Sequence, residues 1–150
     1  MHQVLPDTSC LILFRKIGQL DLLYEVYGRL FITPEVLEEY RKGLPEWIKV
    51  KPLKNRTSFH SNRKIVDYGE ASIITLAMEI SSPLLIIDDK RGRKLANALN
   101  IPLSGTLGTV LKAKKIGVIK SVKPVLENLK AIDFRISDEL EAFILREAKE

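Results

Sequence analysis

The chain has 150 residues, enough for one domain with a sizeable core, and its 45% apolar and 29% charged residues exclude a disordered polyampholyte. The longest apolar runs, Cys10–Phe14 and Leu84–Ile87, are too short to cross a bilayer, and a lone cysteine excludes a disulfide framework or a paired-cysteine metal site. A net charge of +5 favours a polyanionic partner, while two histidines, His2 and His60, are too few for a histidine-based zinc site.

In chain order, Val4-Leu-Pro6 is a short apolar run leading into Asp7-Thr8-Ser9, side chains that can cap a helix over residues 10–17 ending at Gly18. A second amphipathic stretch, 20–26, ends at Gly28; a left-handed glycine suits both helix ends. Residues 29–33 read as a buried strand, and Thr33-Pro34 opens a helix that runs to Lys42 and stops at Gly43. Residues 54–64 are polar, basic and aperiodic, and read as a surface loop. From Tyr68 a helix places Ile73, Ile74, Leu76, Ala77 and Ile80 on its buried side until Pro83. Leu84–Ile87 is wholly apolar and reads as a central strand covered on both faces. Asp88-Asp89 follows, then a helix over 91–99, a short strand over 101–103 and a helix from Thr106 to Gly117. Two further amphipathic helices lie near 122–131 and 137–148.

No repeat, low-complexity tract or Gly/Ser linker interrupts the pattern, so residues 1–150 read as one domain, with the helices from about 121 packing on or extending it. A strand-like stretch begins almost at Met1, which leaves no room for a leader there and implies a cytoplasmic protein. The Lys/Glu/Ile-rich, Gln-poor composition points to a thermophile. Strands alternating with helices predict an α/β fold: a three-layer α/β/α sandwich around a central parallel sheet of four or five strands. Right-handed crossovers put every strand C-terminus on one rim, where open α/β sheets bind ligands.

Asp7 follows the first strand and Asp88-Asp89 the expected central one, so a parallel sheet sets these acids side by side on that rim. Glu39 borders the apolar stripe of its helix, and Glu70 sits in the first turn of a strongly buried one. Taken singly, Asp7 reads as a helix cap, Glu70 as a helix-dipole residue and Glu38-Glu39 as a solvated face. Two adjacent acids abutting a buried strand are harder to explain as caps, since one suffices. Converging carboxylates repel and take up protons unless a cation joins them, and oxygen-only donors select hard ions such as Mg²⁺ or Mn²⁺.

The order Asp7-Thr-Ser, Thr33-Pro-Glu-Val-Leu-Glu-Glu-Tyr40, Gly69-Glu-Ala-Ser-Ile-Ile-Thr-Leu-Ala77 and Leu84-Leu-Ile-Ile-Asp-Asp-Lys-Arg-Gly-Arg93 resembles the PIN domain, especially its prokaryotic branch related to VapC-type toxins. The likeness spans roughly residues 3–120, and Phe134-Arg-Ile-Ser-Asp-Glu-Leu140 is similar to that branch too. The resemblance implies a Mg²⁺- or Mn²⁺-dependent endoribonuclease, the toxin half of a toxin–antitoxin pair whose small antitoxin blocks the acid-lined rim, and a homodimer. It implies Asp7, Glu39, Glu70 and Asp89 as the catalytic acids, with Asp88 as a neighbour able to share the metal; Glu70 stands where the family more often has Asp. Thr8 or Ser9 resembles the hydroxyl that orients the site's oxygens, and Thr106 a phosphate contact at a helix N-terminus.

Arg91, Arg93 and Lys94 follow the acid pair and are expected to contact RNA phosphates, while Lys112, Lys114 and Lys115 read as solvated. In the 54–64 segment, Phe59 and His60 are expected to stack on unpaired bases. Two other classes remain open: a non-catalytic nucleic-acid-binding module, and a phosphoacceptor receiver, whose acid pair would have to follow the first strand instead.

Overall fold

Short apolar strands buried on both faces pair most efficiently in a parallel sheet sandwiched by helices, and the computed structural model, which describes residues 2–150, shows this arrangement. The strands are β1 (Gln3–Pro6), β2 (Leu30–Ile32), β3 (Ile48–Val50), β4 (Pro83–Ile86) and β5 (Leu103–Ser104), ordered β3-β2-β1-β4-β5 and all parallel. The chain builds outward from β1 through β2 to β3, then returns to the other side of β1 for β4 and β5. The topological switch therefore lies between β1 and β4, the adjacent pair with Leu5 opposite Leu85 and Pro6 opposite Ile86. A crevice opens beyond the strand ends at such a point.

The described residues form helices α1 (Thr8–Lys16), α2 (Leu20–Tyr27), α3 (Pro34–Tyr40), α4 (Arg56–Arg63), α5 (Tyr68–Glu79), α6 (Lys90–Ala98), α7 (Thr106–Lys115), α8 (Lys123–Ala131) and α9 (Asp138–Glu147). They flank the sheet as an α/β/α sandwich. α5 is the most buried: Ala71 to Ala77 are all buried, and the helix packs on β1 and β4. Gly18 and Gly28 end α1 and α2 at φ of 69° and 76°, as the sequence predicts. The C-terminal helices are tied back by Glu150, whose carboxylate accepts from the Val122 N–H at 2.8 Å, Lys114 Nζ at 3.0 Å and the Ser121 hydroxyl at 2.5 Å.

Three local expectations need correction. The 54–64 segment is not a loop: Asn55 caps α4 by accepting from the Ser58 N–H at 3.0 Å. One turn apart, Phe59 and Asn62 face inward, and Asn62 Nδ2 donates to Thr75 Oγ1 on α5 at 3.0 Å. Two inward residues on a short helix are too few to register as periodicity. Phe59, 2% exposed and packed against Tyr68, is accordingly unavailable to a nucleobase. The fifth strand that the expectation of four or five allows is β3, and no apolar run marks its position because only Ile48 of its three residues is buried at the sheet edge. Finally, α3 ends at Tyr40 with Arg41 in the left-handed region (φ 60°), two residues before the glycine expected to stop it.

Candidate active site

The two central strands deliver one carboxylate each to the switch-point crevice. Asp7, 2% exposed, caps α1 by accepting from the Cys10 N–H at 2.8 Å through Oδ1. Asp89 caps α6 in the same way, accepting from the Gly92 N–H at 3.0 Å through Oδ2. Each cap consumes one oxygen and leaves the second, Asp7 Oδ2 and Asp89 Oδ1, uncommitted. The capping and functional readings of these acids are therefore compatible.

Glu39 and Glu70 complete the wall. Glu39 Oε1 accepts from Thr8 Oγ1 at 2.6 Å, joining α3 to the first residue of α1. Glu70 occupies the third position of α5 and turns back to the N–H of Asp67, the residue before the helix, which satisfies an otherwise orphaned donor. Gly69 makes this packing possible: a Cβ there would overlap Glu39 Oε1 and stand 2.9 Å from Thr8 Oγ1. The result is a cleft of about 470 Å³ lined by Asp7, Thr8, Ser9, Ile12, Glu39, Arg41, Asp67, Glu70 and Asp89. Glu38 faces elsewhere and accepts from the Tyr68 hydroxyl at 3.0 Å.

Acids crowded together resist ionisation, most of all the one that is buried. Burial, opposed by the Cys10 N–H bond and reinforced by the charges of Asp88, Glu70 and Asp89, pushes Asp7 up to about 8 from 3.8. Burial and the charges of Asp89, Asp67 and Glu39 push Glu70 to about 7 from 4.5.

Asp88 and Thr106 are placed differently from expectation. The Asp88 carboxylate lies outside the cleft and accepts from both the backbone N–H (2.9 Å) and the hydroxyl (2.5 Å) of Thr106, so it caps α7. Gly105 leaves room for it, since a Cβ there would lie 2.5 Å from Asp88 Oδ1. Thr106 is fully buried and its hydroxyl is consumed, so it offers nothing to a phosphate. The doubled acid thus has a division of labour: Asp88 fastens β4 to α7, and Asp89 lines the cleft. Thr106→Val should lower stability by about 1–3 kcal/mol, the cost of stranding a half-buried carboxylate oxygen; an unchanged thermal midpoint would refute this role.

The predicted cations do not line the cleft. Arg93 borders a groove with Asp88, Lys90 and residues of α7 and α9, and Arg91 and Lys94 border a separate depression. The cation that lines the cleft is Arg41, which sequence reasoning missed because its position depends on where α3 ends. Asp67 was also missed, although the Asp67-x-x-Glu70 spacing is a capping-box signal.

A family model described as the PIN domain matches residues 3–150. The chain belongs to the PIN-domain family. No curated protein and no solved structure matches it. The PIN domain is a nuclease-like fold, and in this one the switch-point cleft gathers acids from β1, α3, α5 and the β4–α6 junction. The donors are carboxylate and hydroxyl oxygens, chemistry that suits a hard divalent cation. The raised affinities of Asp7 and Glu70 for protons mark the same need for positive charge. Among the described residues, however, no three potential ligands already stand grouped around one point. With Glu39 held by Thr8 and Glu70 by Asp67, the cleft suits a hard ion in donor chemistry, but its side chains would have to rotate to surround one. No helix in the described residues is long and apolar enough to cross a membrane.

Proposed function

We propose that this PIN domain is a Mg²⁺- or Mn²⁺-dependent endoribonuclease. The observation that carries the reading is the convergence of Asp7, Glu39, Glu70 and Asp89 on one cleft at the topological switch point, two of them holding protons far above the ordinary carboxylate range. The ion would be held by these four acids, with Asp88 excluded by its bonds to Thr106. The ion's chemistry there would be Lewis-acid activation of water for in-line attack on phosphorus and charge neutralisation at the departing alkoxide.

The chain's own residues supply the rest. Thr8 orients Glu39 through the 2.6 Å bond, and the α1 and α6 N-termini hold Asp7 and Asp89 so that one oxygen of each faces the cleft. Arg41, the cation lining the cleft, would hold the scissile phosphate beside the acids, and exposed Ser9 at the cleft wall would add a hydrogen-bonding group. RNA as substrate and a role as the toxin of a toxin–antitoxin pair rest on the four motifs that resemble the VapC-type branch. The homodimer expected from that branch would draw on Leu140 and Phe143 of α9, 40% and 46% exposed.

A second reading is a PIN domain that binds nucleic acid without turnover. It is supported by the absence of a ready-made trio of ligands among the described residues. The two separate in one pair of measurements: calorimetric titration with Mn²⁺, and cleavage of single-stranded RNA with and without the ion. Metal binding with ion-dependent cleavage supports the ribonuclease; neither one leaves the non-catalytic reading.

A further inference from the structure

Along α6, starting two residues beyond the cleft-lining Asp89, lies a depression of about 350 Å³ formed by Ile65, Arg91, Lys94, Leu95 and Ala98. Positions 91, 94, 95 and 98 fall on one helical face, and Ile65 closes the floor from the α4–α5 connection. Ile65 is 47% exposed yet not loosely held, since its N–H donates to the Asn62 carbonyl at 3.0 Å and the next residue, Val66, is buried. Arg91 and Lys94 are exposed, and neither belongs to an ion pair among the described residues.

We propose that this depression is a nucleobase subsite for single-stranded RNA passing through the acidic cleft. An apolar floor with two free cations at its rim is complementary to a flat, uncharged ring flanked by phosphates. The depression is separate from the cleft but close to it along the chain: Ile65 lies two residues before the cleft-lining Asp67, and Arg91 two residues after the cleft-lining Asp89. In a duplex the base faces its pair and cannot enter, so the occupant is single-stranded. Ile65 supplies apolar contact to the ring face, Arg91 can lay its guanidinium on the ring or bond a phosphate, and Lys94 meets the neighbouring phosphate as a point charge. The subsite rests on the ribonuclease reading, but it concerns binding and is tested without cleavage.

The test is fluorescence anisotropy of a labelled single-stranded RNA oligonucleotide titrated with the full chain in EDTA. Ile65→Asn should weaken binding about tenfold, whereas Ile65→Phe, which offers a ring for stacking, should bind at least as tightly as the parent. Arg91→Ala and Lys94→Ala should each reduce the slope of log affinity against log salt by about 0.7, and Lys16→Ala, an equal charge change at the far end of α1, should not. Wild-type affinity in Ile65→Asn, equal loss in Ile65→Phe, equally tight binding of duplex RNA, or no single-strand binding would each overturn the subsite. A parallel cleavage assay in Mn²⁺ keeps the two readings apart. Binding that depends on Ile65 without cleavage removes the nuclease and leaves the subsite; cleavage with binding indifferent to Ile65 does the reverse.

Discussion

Asp7→Asn should abolish divalent-dependent RNA cleavage, by roughly a thousandfold or more, while making the metal-free protein more stable. The two effects have opposite signs because Asp7 does two jobs. Asparagine caps helices about as well as aspartate, so the bond to the Cys10 N–H survives and α1 keeps its start. What the change removes is a carboxylate whose ionisation is opposed by burial and by Asp88, Glu70 and Asp89. At pH 8 that charge costs on the order of 5 kcal/mol, and its loss should raise the thermal midpoint of this 150-residue chain by roughly 10 °C. Melting and cleavage should be measured on the same preparation. Persistent metal-dependent cleavage would reject Asp7 as part of the site, and a strongly destabilised variant would mean that the buried charge does not carry the cost assigned to it.

In EDTA, thermal stability should fall as pH rises from about 5 to 8, and Mn²⁺ should reverse the trend. Asp7 holds its proton to about pH 8 in the folded chain but releases it near 3.8 when unfolded. Above 3.8 the unfolded state therefore gains an ionisation that the folded state cannot match, a penalty that grows until about pH 8 and then levels. Glu70 acts in the same direction between about 4.5 and 7. Glu150, lowered to about 2 by the Ser121 hydroxyl, the Val122 N–H and Lys114, acts in the opposite sense, but only at more acid pH. A divalent ion binds the ionised acids, so its stabilisation should be larger at pH 8 than at pH 6. Melting curves at four pH values, with EDTA and with Mn²⁺, test this. A metal-free midpoint that stays flat or climbs with pH, or an equal Mn²⁺ shift at all pH values, would show that the acids do not burden the folded state.

These two outcomes come from a constellation that was partly legible in the residues. Asp7 and the Asp88-Asp89 pair were readable because each immediately follows an apolar run that reads as a buried strand, and parallel topology then fixes the rim. The apolar stripe of α3 favoured Glu39 without deciding it against Glu38; in the structure Glu39 lines the cleft while Glu38 pairs with Tyr68. Asp88 shows where local reasoning stops. Its neighbour and its strand end are visible in the sequence, but the Thr106 donors that occupy it arrive 18 residues later from another helix. Phe59 fails in the same way: nothing in a polar segment reveals that α5 offers it a hydrophobic surface.

The linear order of residues determined by itself the fold class, the strand ends that carry the acids and the glycines that end α1 and α2, because each depends on periodicity or backbone preference within a few neighbours. Only the tertiary structure decided which acid of the pair reaches the cleft, that Arg41 and Asp67 join it, and that α6 divides its cations between two depressions. These depend on directions in which side chains leave elements distant in sequence, and such directions are set by packing between elements and not by propensity within one.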